Sequence, residues 1–470
     1  MGYKHDSVFP TSKPHIPAIN TPSLPSQNFT REHITMGTLK NQQDILDKLK
    51  IEKLNPMQEE ARQAIHSTQN VVLLSPTGTG KTLAFLLPIL SELESDCEEV
   101  QVLILVPSRE LALQIEQVLR EMGTGHKVNA IYGGRAGSKD KLDLKHRPAI
   151  LIGTPGRIAD RFRRDNMPTE FIKTLVLDEF DKSLEVGFEK EMREILSSLR
   201  KVKKRILTSA THGVEIPGFV ELRNPTYIDY LGEKTSQLKL KKVSSPDKDK
   251  LQTLTALLGH IGNQPGIIFC NYKETIQYVS DHLTKNRVSH GTFYGGMEQK
   301  DRERVLIKFR NGTHQLIIAT DLAARGLDVS ELKFIIHYQL PPREEEFTHR
   351  NGRTARMNSE GTAYLIQWEK EPLPDFIKGA REEKLSKANL PGPSIWSTLF
   401  ISGGRKDKIS KGDIAGIFFK QANLSSEEVG TIEIKQDCAF VAIHSAKASE
   451  VVKTLDNTRI KKKKVRISVI

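Results

Sequence analysis

The sequence predicts an α/β protein with two tandem parallel-sheet domains and a smaller C-terminal α/β unit of split βαβ order. Three observations carry this. Between about 35 and 225, short runs of aliphatic and β-branched residues alternate with stretches of helical apolar period. Strands that are apolar on both sides of the pleat belong to a parallel sheet covered by helices on both faces. The same alternation resumes after a polar stretch at 231–250, and the last 75 or so residues instead read β-α-β-β-α-β.

Residues 1–30 carry Pro10, Pro14, Pro17, Pro22 and Pro25 among Ser, Thr and Asn, which predicts a flexible tail without a packed core. The first domain, expected over 31–230, takes its strands from VVLLS (71–75), VLILV (102–106), AILIG (149–153), TLVLD (174–178) and RILTS (205–209). LAFLLPILSEL and ELALQIEQVLREM are helices between them. The stretch LGEKTSQLKLKKVSSPDKDK (231–250) reads as a linker opening the second domain, which is expected over 231–370. Its strands are GIIFC (266–270), HGTFY (290–294), QLIIAT (315–320), KFIIHY (333–338) and GTAYLIQW (361–368), with KETIQYVSDHLTKN and QKDRERVLIKFRNG as helices. A charged, proline-containing linker (371–395) leads to the third domain, 396–470. There TLFIS, TIEIK, AFVAIH and KVRISVI are strands, and DIAGIFFKQA and ASEVVKTLD are helices.

Composition narrows the function classes. The net charge of +12 points to a polyanionic partner, and residues 391–470 hold 14 Lys+Arg against 8 Asp+Glu, half of that surplus. No apolar run approaches the roughly 18 residues of a membrane span. The N-terminal stretch has no basic segment followed by an apolar one, so a cytoplasmic rather than secreted protein is expected. Cys97, Cys270 and Cys438 are too scattered for a disulfide framework or a metal site.

SPTGTGKT (75–82) follows the VVLL strand and precedes a helix. In that context the backbone N–H groups of Ser75, Thr77, Gly78, Thr79 and Gly80, with the positive end of the helix, cradle phosphates. Lys81 reaches the β- and γ-phosphates, and Thr82 offers its hydroxyl to Mg²⁺. Such a loop needs a carboxylate for the metal and a base for the attacking water. Asp178 and Glu179 end a neighbouring strand and supply both; the bland alternative is the acidic start of a solvated helix. Phe180, between them and Asp181, is expected as packed apolar bulk.

The ordered set of motifs resembles a DEAD-box RNA helicase over roughly 38–368. NPMQ (55–58), SPTGTGKT, VPSRELA (106–112), Gly133-Gly134, TPGR (154–157), DEFD (178–181) and SAT (209–211) match the first of its two RecA-like domains. IIFCN, Gln299 with Arg302, ATDLAARGLDV (319–329) and HRNGRTAR (349–356) match the second. The resemblance implies ATP and Mg²⁺ bound between the domains, with Gln58 reading adenine and Asp328 near the ribose. It makes Arg353 and Arg356 arginine fingers and His349 a water-positioning link between domains. Ser209 and Thr211 are then expected to hydrogen-bond the acids, with Asp181 coupling them to the HRNGRTAR side. RNA backbone contacts fall to Arg109, Gly133, Gly134, Thr154, Gly156, Arg302, Thr320 and Gly326, while Asp321 and Arg325 could tie their loop by a salt bridge. Ser108, Asn351 and Ala355 depart from the family's usual Thr, Ile and Gly, and the aromatic residue usual upstream of the Q motif is missing around Asn41.

STLFISGGRKDKISKGDIAGIFF resembles the C-terminal domain of DbpA-type bacterial DEAD-box proteins, which is RRM-like and implies a structured large-subunit ribosomal RNA partner. By strand alternation Phe400 shares a face with Phe440, and either could be a stacking platform or core. The basic residues Arg405, Lys406, Lys408, Lys411 and 461–464 are the stronger RNA candidates. The resulting expectation is a monomeric ATP-dependent RNA helicase acting on ribosomal RNA during large-subunit assembly. The alternative is a weakly hydrolysing RNA clamp.

Overall fold

The computed structural model describes residues 42–134, 137–165, 167–185, 187–212, 215–232, 237–324, 332–355 and 360–470. The proline-rich segment 1–30 lies outside them. The first sheet comprises β1 (Asn70–Leu74), β2 (Val102–Leu105), β3 (Val128–Ile131), β4 (Ile150–Gly153), β5 (Thr174–Leu177), β6 (Lys204–Ser209) and β7 (Thr226–Asp229). All pair in parallel in the order β3-β4-β2-β5-β6-β1-β7. Every residue of β2, β4 and β5 is buried, as continuous apolar runs require. One face packs Val71, Leu73, Ile104 and Val176 against helices Lys81–Ser91 and Arg109–Met122, and the other packs Leu103, Leu177 and Leu207 against Met192 and Ile195. Each such aliphatic side chain contributes roughly 1.5–3 kcal/mol.

The order β5-β6-β1 positions the site. Leu177 pairs with Leu207, and Leu74 with Ser209, so the loops leaving these strands open side by side at the carboxyl edge of the sheet.

The second sheet contains β8 (Gln237–Ser245), β9 (Gly266–Phe269), β10 (His290–Phe293), β11 (Leu316–Ala319), β12 (Phe334–His337), β13 (Glu360–Trp368) and β14 (Arg381–Glu382), ordered β10-β11-β9-β12-β13-β8-β14. Here two expectations are corrected. Part of the 231–250 "linker" is β8, paired along all nine residues with β13. Leu238 and Leu240 pack towards one core and Val243 is buried in the other. Lys239, Lys241 and Lys242, which make the segment read as polar, meet Glu360, Glu383 and Glu382. The 371–395 connector is likewise strapped to the sheet. It supplies β14, buries Ile377 beside Leu340 and Leu365, and holds both ring nitrogens of His260 through Ser386 and Glu383. A Cβ at Gly259 would lie 2.7 Å from the Ala388 carbonyl, so this glycine lets the connector run against its helix.

The third domain has β15 (Trp396–Ile401), β16 (Val429–Ile434), β17 (Ala439–His444), a short hairpin of β18 (Arg459–Ile460) and β19 (Lys463–Lys464), and β20 (Ile467–Val469). Its antiparallel sheet runs β16-β17-β15-β20. Helices Lys411–Lys420 and Ala448–Leu455 bury Ile414, Phe418, Val451 and Leu455 against Leu399, Ile401, Val441 and Ile443. Phe400 and Phe440 pair directly across the strands with ring centroids 5.7 Å apart, edge-on. They lie on the face opposite those helices, outside this core.

That opposite face is partly covered by the end of helix Gln299–Arg310. Arg310 forks onto Glu433, and the Asn311 amide and Thr313 hydroxyl meet the buried Thr398 hydroxyl at 3.3 and 2.7 Å. Among the described residues no helix is long and apolar enough to cross a membrane.

Candidate active site

The loop after β1 turns through Gly78 (φ +88°) and Gly80 (φ +87°), left-handed positions that suit a residue without Cβ. A Cβ on Gly80 would also sit 2.4 Å from Gln58 Nε2. Asn55 and Gln58 cap helix Pro56–Ser67 reciprocally. From that cap, Asn55 Nδ2 donates to Thr79 O at 3.0 Å and Gln58 Nε2 to Gly80 O at 3.2 Å. The hydroxyls of Ser75 and Thr79 are 2.7 Å apart. Lys81 is buried, and its amine donates to Ser75 O and Pro76 O at 2.5 and 2.9 Å, so the loop is folded on its own lysine. Burial lowers the pKa of that amine, while Asp178 and Glu179 pull it upward. Thr77 in this loop and Thr82 in the first turn of helix Lys81–Ser91 are both half-buried.

At the end of β5, Asp178 and Asp181 are each 3% exposed. Burial, then the adjacent Glu179 charge, pushes the Asp178 carboxyl up to about 6, against the Thr208 hydroxyl that favours its ionised form. Glu179 has φ +48° and sits immediately before helix Phe180–Glu185. Phe180 is 2% exposed and packs in the cluster with Leu177, Met192 and Leu207: it is apolar bulk.

Thr211 Oγ1 donates to Asp181 Oδ2 at 3.2 Å. Ser209 does not reach an acid; its hydroxyl donates to Thr211 O and accepts from Thr211 N, which corrects the expectation that both would bond the acids. Because β6 ends at Ser209, the chain turns there, and the serine braces that turn. The neighbouring Thr208, not anticipated from the sequence, makes the contact instead, donating to Asp178 Oδ1 and accepting from Glu179 N. A polar residue inside the apolar RILTS strand was the available signal.

The second domain faces this constellation. His349 Nε2 lies 3.5 Å from Asp181 Oδ2. A Cβ on Gly352 would lie 3.0 Å from Thr77 Cβ, so only a small residue brings this turn against the phosphate loop. Arg353 is 5% exposed and its charge acts on Lys81. Arg350, passed over in the sequence reading, is 1% exposed and braces the helix Glu344–Asn351 from within. It forks onto Asp321 at 2.6 and 2.7 Å and donates to Gln339 O and Asn271 Oδ1. Asn351 accepts from the buried His337 at 3.1 Å, which gives the unusual asparagine a local partner. Arg356, Asp328, Gly326 and Arg325 lie outside the described residues.

The remaining sequence candidates divide. Ser108 caps helix Arg109–Met122 through Leu111 N, as threonine can. The Arg109 guanidinium lies against Gly134, where a Cβ would be 2.6 Å from Nη1, and it donates to Gln299 across the domains at 3.1 Å. Gly133 adjoins it. Arg302, expected on RNA, is instead buried: it pairs with Glu110 at 2.9 Å and lies over the Phe293 ring. Its position on the first turn of helix Gln299–Arg310 turns it towards the other domain. Thr154 is buried before helix Pro155–Asp165, Gly156 has open space around it, and Thr320 is half-buried after β11. Arg405, Lys406 and Lys408 are exposed on one turn, and Lys461 Nζ donates to Lys408 O at 2.6 Å, so the 461–464 hairpin joins the same basic edge.

Comparison with known proteins fits this geometry. The DEAD/DEAH box helicase model matches residues 55–216, the helicase conserved C-terminal domain 249–358, and the DbpA RNA binding domain 398–469. The chain is 30% identical over 432 residues to the ATP-dependent RNA helicase DbpA of Escherichia coli, spanning 89% of this chain and 94% of that protein. It belongs to the DEAD-box ATP-dependent RNA helicases. The Bacillus subtilis DbpA is 29% identical over 449 residues, covering 88% of this helicase and 94% of the relative. Among solved structures, Saccharomyces cerevisiae Dbp5 bound to RNA and ADP BeF3 matches with TM-score 0.62 and 26% identity, over 70% of the helicase and 88% of that chain. Mss116 bound to ssRNA and UDP-BeF matches with TM-score 0.64 and 26% identity, over 71% and 74%. The helicase therefore hydrolyses ATP and acts on RNA, and its two parallel-sheet domains are RecA-like.

Proposed function

We propose that ATP is hydrolysed in the cleft between the two RecA-like domains, and that structured large-subunit ribosomal RNA, held by the third domain, is the substrate locally unwound. The observation that carries the first part is Asp181, which meets Thr211 from its own domain and His349 from the other. Domain closure is thereby felt next to Glu179, the proposed base for the attacking water. Lys81 exchanges its loop carbonyls for phosphate when ATP binds, and Arg353 brings positive charge to the same place. The donors suit Mg²⁺. Thr82 and Asp178 offer hard oxygens, and among the described residues no group of three or more Asp, Glu, His or Cys side chains is placed to hold a metal ion, so the ion would take most of its ligands from phosphate and water. Thr82 and Asp178 would hold it, and its chemistry there is to neutralise phosphate charge.

The RNA part rests on the third domain. With part of its sheet face against the second domain, the exposed edge of Arg405, Lys406, Lys408 and 461–464 offers a basic surface for a polyanion. Charge reversal at Arg405, Lys406 and Lys408 is expected to erase preference for a ribosomal RNA fragment while ATPase on generic RNA persists. Unchanged preference would remove the case for targeting. The working form is read as a cytoplasmic monomer engaged in ribosome assembly.

A second reading, an RNA clamp with little turnover, draws on Ala355, which holds φ +52° in the motif of Arg353. Steady-state ATPase with and without RNA separates the two, since only the helicase shows substantial RNA-stimulated turnover.

A further inference from the structure

Thr208 is fully buried on β6, one position beyond the level at which Leu207 pairs with Leu177. That register sets its side chain beside the first residues to leave β5. A single hydroxyl then makes two bonds: it donates to Asp178 Oδ1 at 2.5 Å and accepts from the Glu179 backbone N–H at 3.1 Å. Glu179 needs such a restraint. Its φ of +48° lies in the left-handed region, which costs a residue with a Cβ about 1–2 kcal/mol. Its carbonyl accepts from Lys182 N and Ser183 N at 3.0 and 3.1 Å, so the residue is pinned to a helix on one side and to Thr208 on the other.

We propose that Thr208 is a positioning residue for hydrolysis: its hydroxyl locks the Asp178 carboxylate and the Glu179 backbone into one geometry. The proposal rests on the reading of Asp178 and Glu179 given above. Such a device is distinct from the Asp181–His349 contact, which links the acids to the second domain, because Thr208 acts wholly within the first. A merely structural threonine would fill space at this position. A cavity of about 460 Å³, lined in part by Phe180, Thr208, Ser209 and Tyr227, adjoins it, so small changes of shape can be absorbed.

The test uses the full-length chain and RNA-stimulated ATPase, with Thr208→Val, Thr208→Ser and Glu179→Gln measured together. Thr208→Val keeps the volume and removes the hydroxyl. A fall in kcat of about 10- to 100-fold is expected, in line with a small misplacement of a reacting group, with KM for ATP and RNA affinity changed less than threefold. Thr208→Ser restores kcat to within about threefold of wild type. If Thr208→Val does not fold, Thr208→Cys, nearly the same size with a weaker hydrogen-bonding group, is expected to show the same selective loss of kcat. Wild-type kcat in the folded valine or cysteine variant overturns the proposal. So does equal impairment of the serine and valine variants, which would make the shape, not the hydroxyl, the cause. Glu179→Gln separates the two layers: if it hydrolyses normally, the reading of the base fails whatever Thr208 does.

Discussion

Arg302 and Glu110 form an ion pair at 2.9 Å between the two RecA-like domains, with both residues only 9% exposed. Each sits in the first turn of its helix, Gln299–Arg310 and Arg109–Met122, and Gln299 repeats the link to Arg109. Removing one partner of a buried pair costs roughly 3–5 kcal/mol because the other charge is stranded. Arg302→Ala is therefore expected to lower RNA-stimulated ATPase at least about tenfold by disfavouring the closed arrangement, an effect larger than loss of one exposed RNA contact. The exchange Arg302→Glu with Glu110→Arg recovers part of the loss. No recovery in the exchange would assign Arg302 to RNA after all.

The same helix ends at the third domain, where Arg310 forks onto Glu433. Both groups keep some contact with water, so the pair is worth about 1 kcal/mol rather than several. A double-mutant cycle of Arg310→Ala and Glu433→Ala on thermal unfolding checks this. Coupling near zero would mean that the third domain is not held on this face.

Much of the fold was legible because buried parallel strands have no polar side to confuse the reading: VLIL and ILIG, short and rich in aliphatic residues, are fully buried strands as read. β8 was not legible, since Lys239, Lys241 and Lys242 suggest solvent until Glu360, Glu383 and Glu382 arrive from elsewhere in the chain. In the site, residues whose role follows from local spacing, such as Gly80 and Lys81, could be read directly. Thr208, Arg350 and the Arg302–Glu110 pair could not, because their partners are brought by strand register and domain packing. Phe180 could be judged from its chemistry alone, but its neighbours could not.

His337 gives the stability a pH dependence. Burial, then the charge of Arg350, lowers its pKa to about 3, against an ordinary value near 6.5. The unfolded chain takes up a proton below about 6.5 that the folded chain refuses, so stability is full above that pH and is lost as pH falls. The loss from this group is at most about 1.4 kcal/mol per pH unit down to about 3. In urea unfolding at pH 7.5 and 5, His337→Phe is expected to lose less stability than wild type over the same interval. Equal losses would contradict the assignment.

Ala355 at φ +52° stands where glycine is the easier fit. Ala355→Gly is expected to raise stability by about 0.5–1 kcal/mol without lowering kcat, read from denaturant unfolding and ATPase together. A destabilised glycine variant would show that the methyl contributes packing greater than its backbone cost.

The central claim is that ATP is hydrolysed between the domains with Glu179 acting on the attacking water. Steady-state ATPase of wild type and Glu179→Gln, each with and without a ribosomal RNA fragment, tests it most directly. The account predicts strong RNA stimulation in wild type and its loss by at least about a hundredfold in the variant, with ATP binding retained. RNA-stimulated hydrolysis at wild-type rate in Glu179→Gln would contradict it.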